Sequence, residues 1–463
     1  MKNPSRTEAV IDYIQSQISR RALLPAEKLP SIRQCAKMLG VSPSTVVEAY
    51  DRMVADGVVF ARAGAGFYVS GPVAPLALGA LSPRLEKTVD PLWVSRQSLD
   101  AEAQMLKPGC GWLPPDWMPQ EAIRKALRGL ARANAALLTD YGSTQGAASL
   151  RRGLSRQLLQ AGVAADPAQI LLTASGTQAI DLICRFLLRR GDVVVVDDPC
   201  YFNFQALFKA HQVEVIGVPY TTSGPDMARF SEVLATHAPR LYLTNSAIHN
   251  PTGATMSPQV AHHVLVEAAA HGVVVIEDNI FSGFEPTQSA RLAALGGFDR
   301  VISIGSFSKS LSAAFRCGYI ATRADWIEPL LDLQVATNFG GPSPMAVELL
   351  NSVLGEGRYR KHMAALQSRL TCARFEVADK LAPLGIQPWL MPRGGFYLWC
   401  TLPSGVDSTE MAQRALRQGV VLAPGNVFSV AQSKSGFMRF NVSQMGPQRV
   451  YDVLAKAMEA EGG

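Results

Sequence analysis

The chain has 463 residues, of which 48% are hydrophobic and 18% charged, with a formal net charge of +6 at pH 7. Such a length exceeds what one hydrophobic core usually organises and predicts a globular protein of two or three domains. No long apolar run, no apolar core of a signal peptide and no C-x-x-C pair among the seven cysteines is present. We therefore expect no membrane span, no disulfide framework and no zinc site, and we expect a reducing cytoplasm as the location.

Positive charge is concentrated at the N-terminus. Residues 1–70 hold nine Lys/Arg and six Asp/Glu, a net charge of +3, and the much longer remainder carries only another +3. A small basic part is expected where a protein meets phosphates.

The first seventy residues predict three helices and a two-stranded wing. The second helix begins at Ser31, after Pro30, and ends at Gly40, and the third begins with Ser42 as N-cap and Pro43 at its first position. Alternating apolar residues on both sides of a glycine-rich tip, residues 61–66, predict the wing. The inward faces of the first and third helices are predicted as Val10, Tyr13, Ile14, Ile18, Val46, Val47, Tyr50, Met53 and Val54.

Two short helices joined by a tight turn and followed by a wing are typical of a winged helix-turn-helix, whose third helix enters the major groove of double-stranded DNA. A small helical domain that binds protein is the alternative. The candidate DNA-binding residues are Ser31, Arg33, Ser44, Thr45, Arg62, Gly64 and Gly66.

The motifs Leu29-Pro30-Ser31-x-Arg33, Leu39-Gly40-Val41-Ser42, Asp56-Gly57 and Gly64-x-Gly66-Phe67-Tyr68-Val69 stand in order and spacing. They resemble the GntR-type regulators. That family often has Arg directly after the Ser of the turn, whereas Pro43 stands here. The base or phosphate contact from that position is therefore not expected.

Residues 71–104 are predicted to be a linker, turn-rich at first and more helical over residues 81–99. From residue 105 apolar strands alternate with helical segments, which predicts an α/β fold with a mostly parallel sheet. We predict a large domain over residues 105–335 and a small α+β domain over residues 336–463. The predicted strands are residues 170–172, 193–196, 213–218, 241–243, 273–276 and 301–304.

Polar residues follow several of these strands, at the sheet edge where ligands bind. Ser175, Gly176 and Thr177 open a helix, and free N–H groups there suit an anion. Asn250 follows a later strand, and Asp278 ends the next one. A carboxylate at that edge could pair with a pyridinium nitrogen.

Lys309 lies on a serine-rich turn at the end of the last of these strands. Desolvation should lower the pKa of its amine, which makes a Schiff-base nucleophile. Ser306, Ser308 and Arg316 offer donors for a phosphate. An amine beside a phosphate cradle is what pyridoxal phosphate requires. A surface lysine after a serine-rich turn is the plainer interpretation.

The set as a whole resembles the fold type I, aspartate-aminotransferase-like enzymes that use pyridoxal phosphate, over roughly residues 105–460. The resemblance implies that Lys309 binds the cofactor as an imine, that Tyr201 stacks on its ring, and that Asn250 approaches the ring oxygen. It also implies a homodimer, because Tyr141 matches the tyrosine that reaches the phosphate of the partner subunit. Arg439 matches the arginine that binds a substrate carboxylate.

One cofactor-site position departs from that pattern. Phe281 stands where the family usually has a tyrosine that donates to the ring oxygen. Without that phenol, the imine nitrogen should keep its proton to higher pH, and efficient transamination is in doubt.

A winged head fused to such a domain resembles the MocR subfamily of GntR regulators. The resemblance implies a DNA-binding regulator that senses a small amino compound, or pyridoxal phosphate itself, through imine chemistry at Lys309. The competing interpretation is a working aminotransferase with a DNA-binding head.

Overall fold

The computed structural model describes residues 5–20, 22–24, 26–62, 64–70, 91–100, 102, 104–355 and 357–459. The chain divides into two compact units, Met1–Lys87 and Thr88–Gly463. The predicted linker up to residue 90 lies outside the described residues. Among the helices that are described, none is long and apolar enough to cross a membrane.

The first unit begins with three helices whose ends are set by local side chains. Ser31 and Ser42 accept hydrogen bonds from the N–H groups of Gln34 and Thr45, so both are N-caps. The cap at Ser42 was predicted, whereas Ser31 was predicted as the first residue of the second helix. Gly40 has φ +64° and ends the second helix in the left-handed conformation that favours glycine. The elements of this unit are α1 (Arg6–Ser19), α2 (Ile32–Leu39), α3 (Pro43–Ala55), β1 (Val59–Arg62) and β2 (Gly66–Val69).

The wing is an antiparallel pair with a third, short partner. Val59 of β1 lies opposite Val69 of β2. The Leu29 N–H donates to the Phe67 carbonyl at 2.8 Å, so the stretch before α2 extends the sheet. The prediction that Val47 and Val54 point inward is wrong, because they are 37% and 36% exposed. Helix α3 buries only one stripe, and both valines lie beside it.

The second unit alternates helices with strands over most of its length. Its helices within the described residues are α4 (Pro91–Asp100), α5 (Gln120–Leu130), α6 (Ala135–Thr139), α7 (Ala148–Gln160), α8 (Gly176–Leu187), α9 (Phe202–Ala210), α10 (Met227–His237), α11 (Pro258–Ala270), α12 (Leu292–Gly296), α13 (Ile327–Asn338), α14 (Pro344–Leu354), α15 (Arg358–Leu381), α16 (Ser408–Arg417) and α17 (Gln448–Met458). The strands are β3 (Ile170–Thr173), β4 (Val193–Asp198), β5 (Glu214–Thr221), β6 (Gly224–Pro225), β7 (Leu241–Thr244), β8 (Val274–Asp278), β9 (Val301–Ser306), β10 (Gly318–Ala321), β11 (Gln387–Pro388), β12 (Tyr397–Thr401), β13 (Ala423–Pro424) and β14 (Phe437–Asn441).

The main sheet of this unit has eight strands in the order β3-β10-β9-β8-β7-β4-β5-β6. The pairs from β9 through β8, β7 and β4 to β5 are all parallel. The central strands are apolar and almost entirely buried, as expected for a sheet covered on both faces. All six predicted strands are present. Strand β10, which sequence patterns did not indicate, lies antiparallel between β9 and β3.

The C-terminal part forms a four-stranded antiparallel sheet in the order β11-β12-β14-β13, packed on α15, α16 and α17. Helix α13 runs through the predicted domain boundary at residue 336, and α14 packs into the core of the large sheet through Val347, Leu350 and Val353. The packing therefore favours a boundary after residue 354, and the division at residue 336 stays a prediction.

Helix α4 occupies residues that were predicted to be linker. Its Trp93 and Val94 are buried in an aromatic cluster with Phe202, Trp399 and Phe428. This last stretch of the predicted linker is thus a packed element of the second unit.

Candidate cofactor site and DNA-binding surface

A cavity of about 390 Å³ lies at the carboxyl ends of the parallel strands. Tyr141 does not line it and is 82% exposed. The other predicted cofactor and effector residues are brought together in this cavity, and they are Ser175, Gly176, Thr177, Tyr201, Asn250, Asp278, Phe281, Ser306, Ser308, Lys309, Arg316 and Arg439.

Lys309 stands three residues beyond the end of β9. Its Nζ donates a hydrogen bond to the Gly111 carbonyl oxygen at 2.5 Å. Burial, reinforced by the positive charge of Arg439, lowers the pKa of Lys309 to about 8, although Asp278 opposes the change. A substantial fraction of the amine is therefore neutral near physiological pH, which a nucleophile requires.

Donors suited to an anion line the end of the cavity where α8 begins. Ser175 caps that helix, and the next two residues, Gly176 and Thr177, belong to its first turn, where backbone N–H groups are free. The hydroxyls of Ser306 and Ser308 lie 2.9 Å apart. Arg316, whose backbone is left-handed with φ +45°, lines the same cavity.

Asp278 ends β8 and is buried. Its Oδ1 accepts a hydrogen bond from the Ile280 N–H at 3.0 Å, and its backbone carbonyl accepts one from Asn245 Nδ2 at 3.0 Å. Burial raises the pKa of Asp278 to about 6. A carboxylate in this position can be stabilised by a cationic ring nitrogen, which would return its pKa toward the ordinary range.

Arg439 is almost completely buried on β14. Its Nη1 donates to Asn250 Oδ1 at 2.9 Å, and its Nη2 donates to the Gly109 carbonyl at 2.9 Å. Its Nε is buried and has no hydrogen-bond partner among the described residues. A buried cation with an unused donor is the group expected where a carboxylate binds.

Phe281 supplies an aromatic wall and no donor. It is 4% exposed and packs edge-on against Tyr397, with ring centroids 5.5 Å apart. Tyr201, at the start of α9, packs against Phe202 and Phe204. Tyr201 and Phe281 thus both line the cavity, and position 281 offers no hydroxyl.

Sequence reasoning missed several cavity residues. Gly109 and Gly111 offer the carbonyls that receive Arg439 and Lys309. The dense glycine and proline of residues 108–111 could have indicated a close backbone approach. Val94, Ser98 and Leu99 of α4 and Tyr397 of β12 also line the cavity, and no local signal points to them.

The residues present fit pyridoxal phosphate. One end of the cavity has donors for a phosphate, a partly neutral amine stands at Lys309, and a buried carboxylate stands at Asp278. Each matches one functional group of the cofactor: the dianion, the aldehyde and the ring nitrogen.

The first unit presents a surface suited to DNA. Ser31, Arg33 and Ser44 lie at the surface, and the Thr45 hydroxyl lies 2.7 Å from that of Ser42. At the wing tip Gly64, with φ +73°, and Gly66, with φ +105°, adopt backbone conformations that favour glycine.

Arg62 of the wing is held on two rings. Its guanidinium lies 5.4 Å from the ring centroid of Phe60 and 4.8 Å from that of Tyr68. Lys28, missed by sequence reasoning, pairs with Tyr68 and lies over Gly66. Lys28 and Arg62 thus both neighbour Tyr68, and each is a cation that can meet a phosphate.

Comparison with known proteins agrees with both parts. Residues 6–69 match the family described as bacterial regulatory proteins, gntR family, and residues 113–457 match aminotransferase class I and II. The solved structure of LysN, an α-aminoadipate aminotransferase from Thermus thermophilus, has a TM-score of 0.71 at 24% identity and covers 79% of this chain and 94% of that one. The class defined by fold and site is an aminotransferase-type domain fused to a DNA-binding head.

Two relatives that match along nearly the whole chain are named as HTH-type transcriptional regulators. The HTH-type transcriptional regulator TauR of Rhodobacter capsulatus is 27% identical over 94% of this chain and 92% of the relative. The uncharacterised HTH-type transcriptional regulator YdcR of Escherichia coli is 25% identical over 96% of each. The chain belongs to the aminotransferase class I and II family and carries a gntR-type DNA-binding head, which is the fusion predicted from the sequence and is consistent with a transcriptional regulator of the MocR kind. Its cofactor is pyridoxal phosphate.

Proposed function

We propose that this regulator changes its binding to DNA when a primary amine that carries a carboxylate enters the cavity at Lys309. The observation that carries the proposal is the position of α4. Val94, Ser98 and Leu99 of this helix line the same cavity as Lys309 and Arg439. Helix α4 is also the first described element after the segment that leads from the DNA-binding head.

The residues at one end of the cavity would bind the cofactor. Pyridoxal phosphate, when bound, supplies an aldehyde carbon at which one primary amine can replace another. Gly176, Thr177, Ser306 and Arg316 would hold its phosphate, and Asp278 would hold its ring nitrogen.

The residues at the other end of the cavity would bind the effector. Lys309 has a pKa of about 8 and so can release or accept a proton near neutral pH as its amine leaves or returns. Arg439 would bind the effector carboxylate, and Asn250 orients Arg439 through the bond at 2.9 Å.

A dimer is part of the proposal. Tyr141 and Phe339 are 82% and 67% exposed and pack against each other with centroids 5.0 Å apart. Leu138 and Met345, both exposed, lie close in sequence to this pair. Exposed aromatic residues that contact each other favour burial by a second subunit. A dimer would bring Tyr141 toward the partner's phosphate site and would present two heads to two half-sites.

A ligand can change the DNA affinity of the protein only as far as its own affinity differs between the DNA-binding state and the other state. Couplings of about 1–3 kcal/mol are typical. We therefore expect a saturating effector to change DNA affinity by roughly 5- to 150-fold. A ligand that binds both states equally would have no effect.

The test compares DNA affinity of the cofactor-loaded, full-length protein with and without a panel of amino acids. The duplex is one selected from random sequences by the protein itself. Leu99→Asp should abolish the response to the ligand but not ligand-free DNA binding, because Leu99 lines the cavity. Leu295→Asp is the matched control, since Leu295 is 52% exposed on α12 away from the cavity. An unchanged response in Leu99→Asp would contradict a role for α4.

Two other functions are separated by further measurements. The presence of Lys309, Asp278, Asn250 and Arg439 in one cavity favours a working aminotransferase. Steady turnover of an amino acid with a keto acid, at about 1 s⁻¹ or faster, would support it.

If pyridoxal phosphate is itself the signal, the cofactor-free protein and Lys309→Ala will differ from the loaded wild type in DNA affinity without any added amine.

A further inference from the structure

Tyr397 presents an unused hydroxyl to the cavity. The residue begins β12, is 4% exposed and lines the cavity with Lys309 and Arg439. None of the hydrogen bonds between described residues uses its Oη. The hydroxyl is therefore available to a ligand that enters the cavity.

The direction of the hydroxyl is defined by Gly111. A Cβ atom placed on Gly111 would lie 3.4 Å from Tyr397 Oη and 3.6 Å from Lys309 Nζ. The phenol and the amine therefore both lie beside Gly111, where no side chain of residue 111 covers them. A polar group of a ligand bound at Lys309 can pack against the Gly111 α-carbon and reach the phenol.

The ring is held firmly in place. The guanidinium carbon of Arg439 lies 4.1 Å from its centroid, and Phe281 and Phe396 pack against it at 5.5 and 4.5 Å. Arg374 Nη1 donates to the Gly395 carbonyl at 2.7 Å and so fixes the turn that precedes β12. A phenol held on several sides is preorganised to recognise one ligand group.

We propose that the Tyr397 hydroxyl donates a hydrogen bond to the carboxylate of the effector and forms, with Arg439, a two-point carboxylate site over Gly111. This inference rests on the proposed function, because it concerns the effector of that same cavity. Burial raises the pKa of Tyr397, so the phenol stays protonated and remains a donor at all physiological pH values. The site then selects α-amino acids over amines that lack the carboxylate.

The test uses the full-length, cofactor-loaded protein and matched ligand pairs, L-alanine with ethylamine and L-phenylalanine with 2-phenylethylamine. Binding is followed by the change in cofactor absorption. Tyr397→Phe should weaken each amino acid by about 10- to 100-fold, the range for loss of a hydrogen bond to a charged group. It should leave the amine of each pair unchanged, at pH 6 as at pH 9.

Tyr451→Phe is the matched control. Tyr451 is also 4% exposed, and its hydroxyl also has no partner among the described residues, but it lines a different cavity. Gly111→Ala keeps the phenol and fills the space in front of it, so it should also weaken amino-acid binding if Tyr397→Phe does not fold.

The outcomes are distinguishable. Equal weakening of amino acid and amine by Tyr397→Phe, or no weakening of either, overturns the role of Tyr397 and leaves the proposed function intact. Full amino-acid affinity in Gly111→Ala also overturns it. If the wild-type protein binds amino acids but its DNA affinity never changes, the proposed function fails while the carboxylate site stands. If it binds neither member of either pair, both fail.

Discussion

Removing Arg439 should make Lys309 a poorer nucleophile. The positive charge of Arg439 is, after burial, the largest cause that lowers the pKa of Lys309, and Asp278 acts in the opposite direction. Arg439→Gln should therefore raise the pKa of Lys309, and Asp278→Asn should lower it. The two variants are matched, because each replaces one charged group of the cavity by an amide.

The size of the expected change in the rate of cofactor capture follows from the fraction of Lys309 that is neutral. An amine with a pKa of about 8 is roughly one-tenth neutral at pH 7, whereas one with the ordinary lysine value near 10.5 is about three parts in ten thousand neutral. The difference is about 300-fold in reactive amine. Loss of Arg439 should remove part of that advantage, so the rate of cofactor capture at pH 7 should fall.

The assay starts from cofactor-free protein. Pyridoxal phosphate is added between pH 6 and pH 10.5, and the initial rate is read from the absorption of the lysine-bound cofactor. The rate should rise with pH to a midpoint near 8 in the wild type, at higher pH in Arg439→Gln and at lower pH in Asp278→Asn. A wild-type midpoint near the ordinary lysine value, or shifts in the reverse order, would refute the assignment of Lys309 as the activated amine.

Three further changes test other parts of the molecule. Phe281→Tyr adds a phenol at position 281, so the pH at which the absorption of the cofactor-loaded protein changes should fall. An unchanged or higher pH would count against placing Phe281 beside the cofactor oxygen. Arg62→Ala removes a wing cation and should weaken binding to all duplexes alike, lowering the slope of log affinity against log salt by about one; an unaltered slope would mean that Arg62 meets no phosphate. Phe339→Asp places a charge in the exposed aromatic pair and should convert a dimer of 49.8-kDa chains to monomers in sedimentation, whereas a wild-type monomer would refute the proposed interface.

Local signals allowed the head and the sheet strands to be predicted. The N-caps Ser31 and Ser42 and the turn at Gly40 depend on residues only a few positions apart. The apolar runs of the parallel strands reflect burial on both faces, which any such sheet requires. Val47 and Val54 were misplaced because a helical period leaves residues beside the buried stripe ambiguous, and only the packing of α1 and α2 decides how far the stripe extends.

The site could be predicted only in part. Asp278 ends a strand and Lys309 and Asn250 follow strands, so topology alone brings them to one edge of the sheet. Gly111 and Tyr397 belong to segments far apart in the chain, and their approach to Lys309 depends on how the C-terminal sheet packs. Helix α4 falls in the stretch that was assigned to the linker although its sequence was expected to be more helical, and its burial comes from the aromatic cluster that receives Trp93.

The packing around Arg439 gives the carboxylate of an effector a direct route to α4. The guanidinium of Arg439 lies 4.7 Å from the ring centroid of Phe428, and Phe428 packs in the cluster that buries Trp93 and Val94 of α4. A ligand that binds Arg439 therefore acts on the aromatic packing that holds α4, whereas a ligand that reacts only at Lys309 lacks this route.

An α-amino acid should consequently change DNA affinity more than the amine without its carboxylate, even when both fill the cavity equally. The measurement compares DNA affinity with the two ligands at equal occupancy of the cavity, and occupancy is read from cofactor absorption. Equal effects of the two ligands would place the coupling at Lys309 and not at Arg439. Phe428→Leu should reduce the difference between the two ligands, because a smaller side chain loosens the contact between Arg439 and the cluster that buries α4.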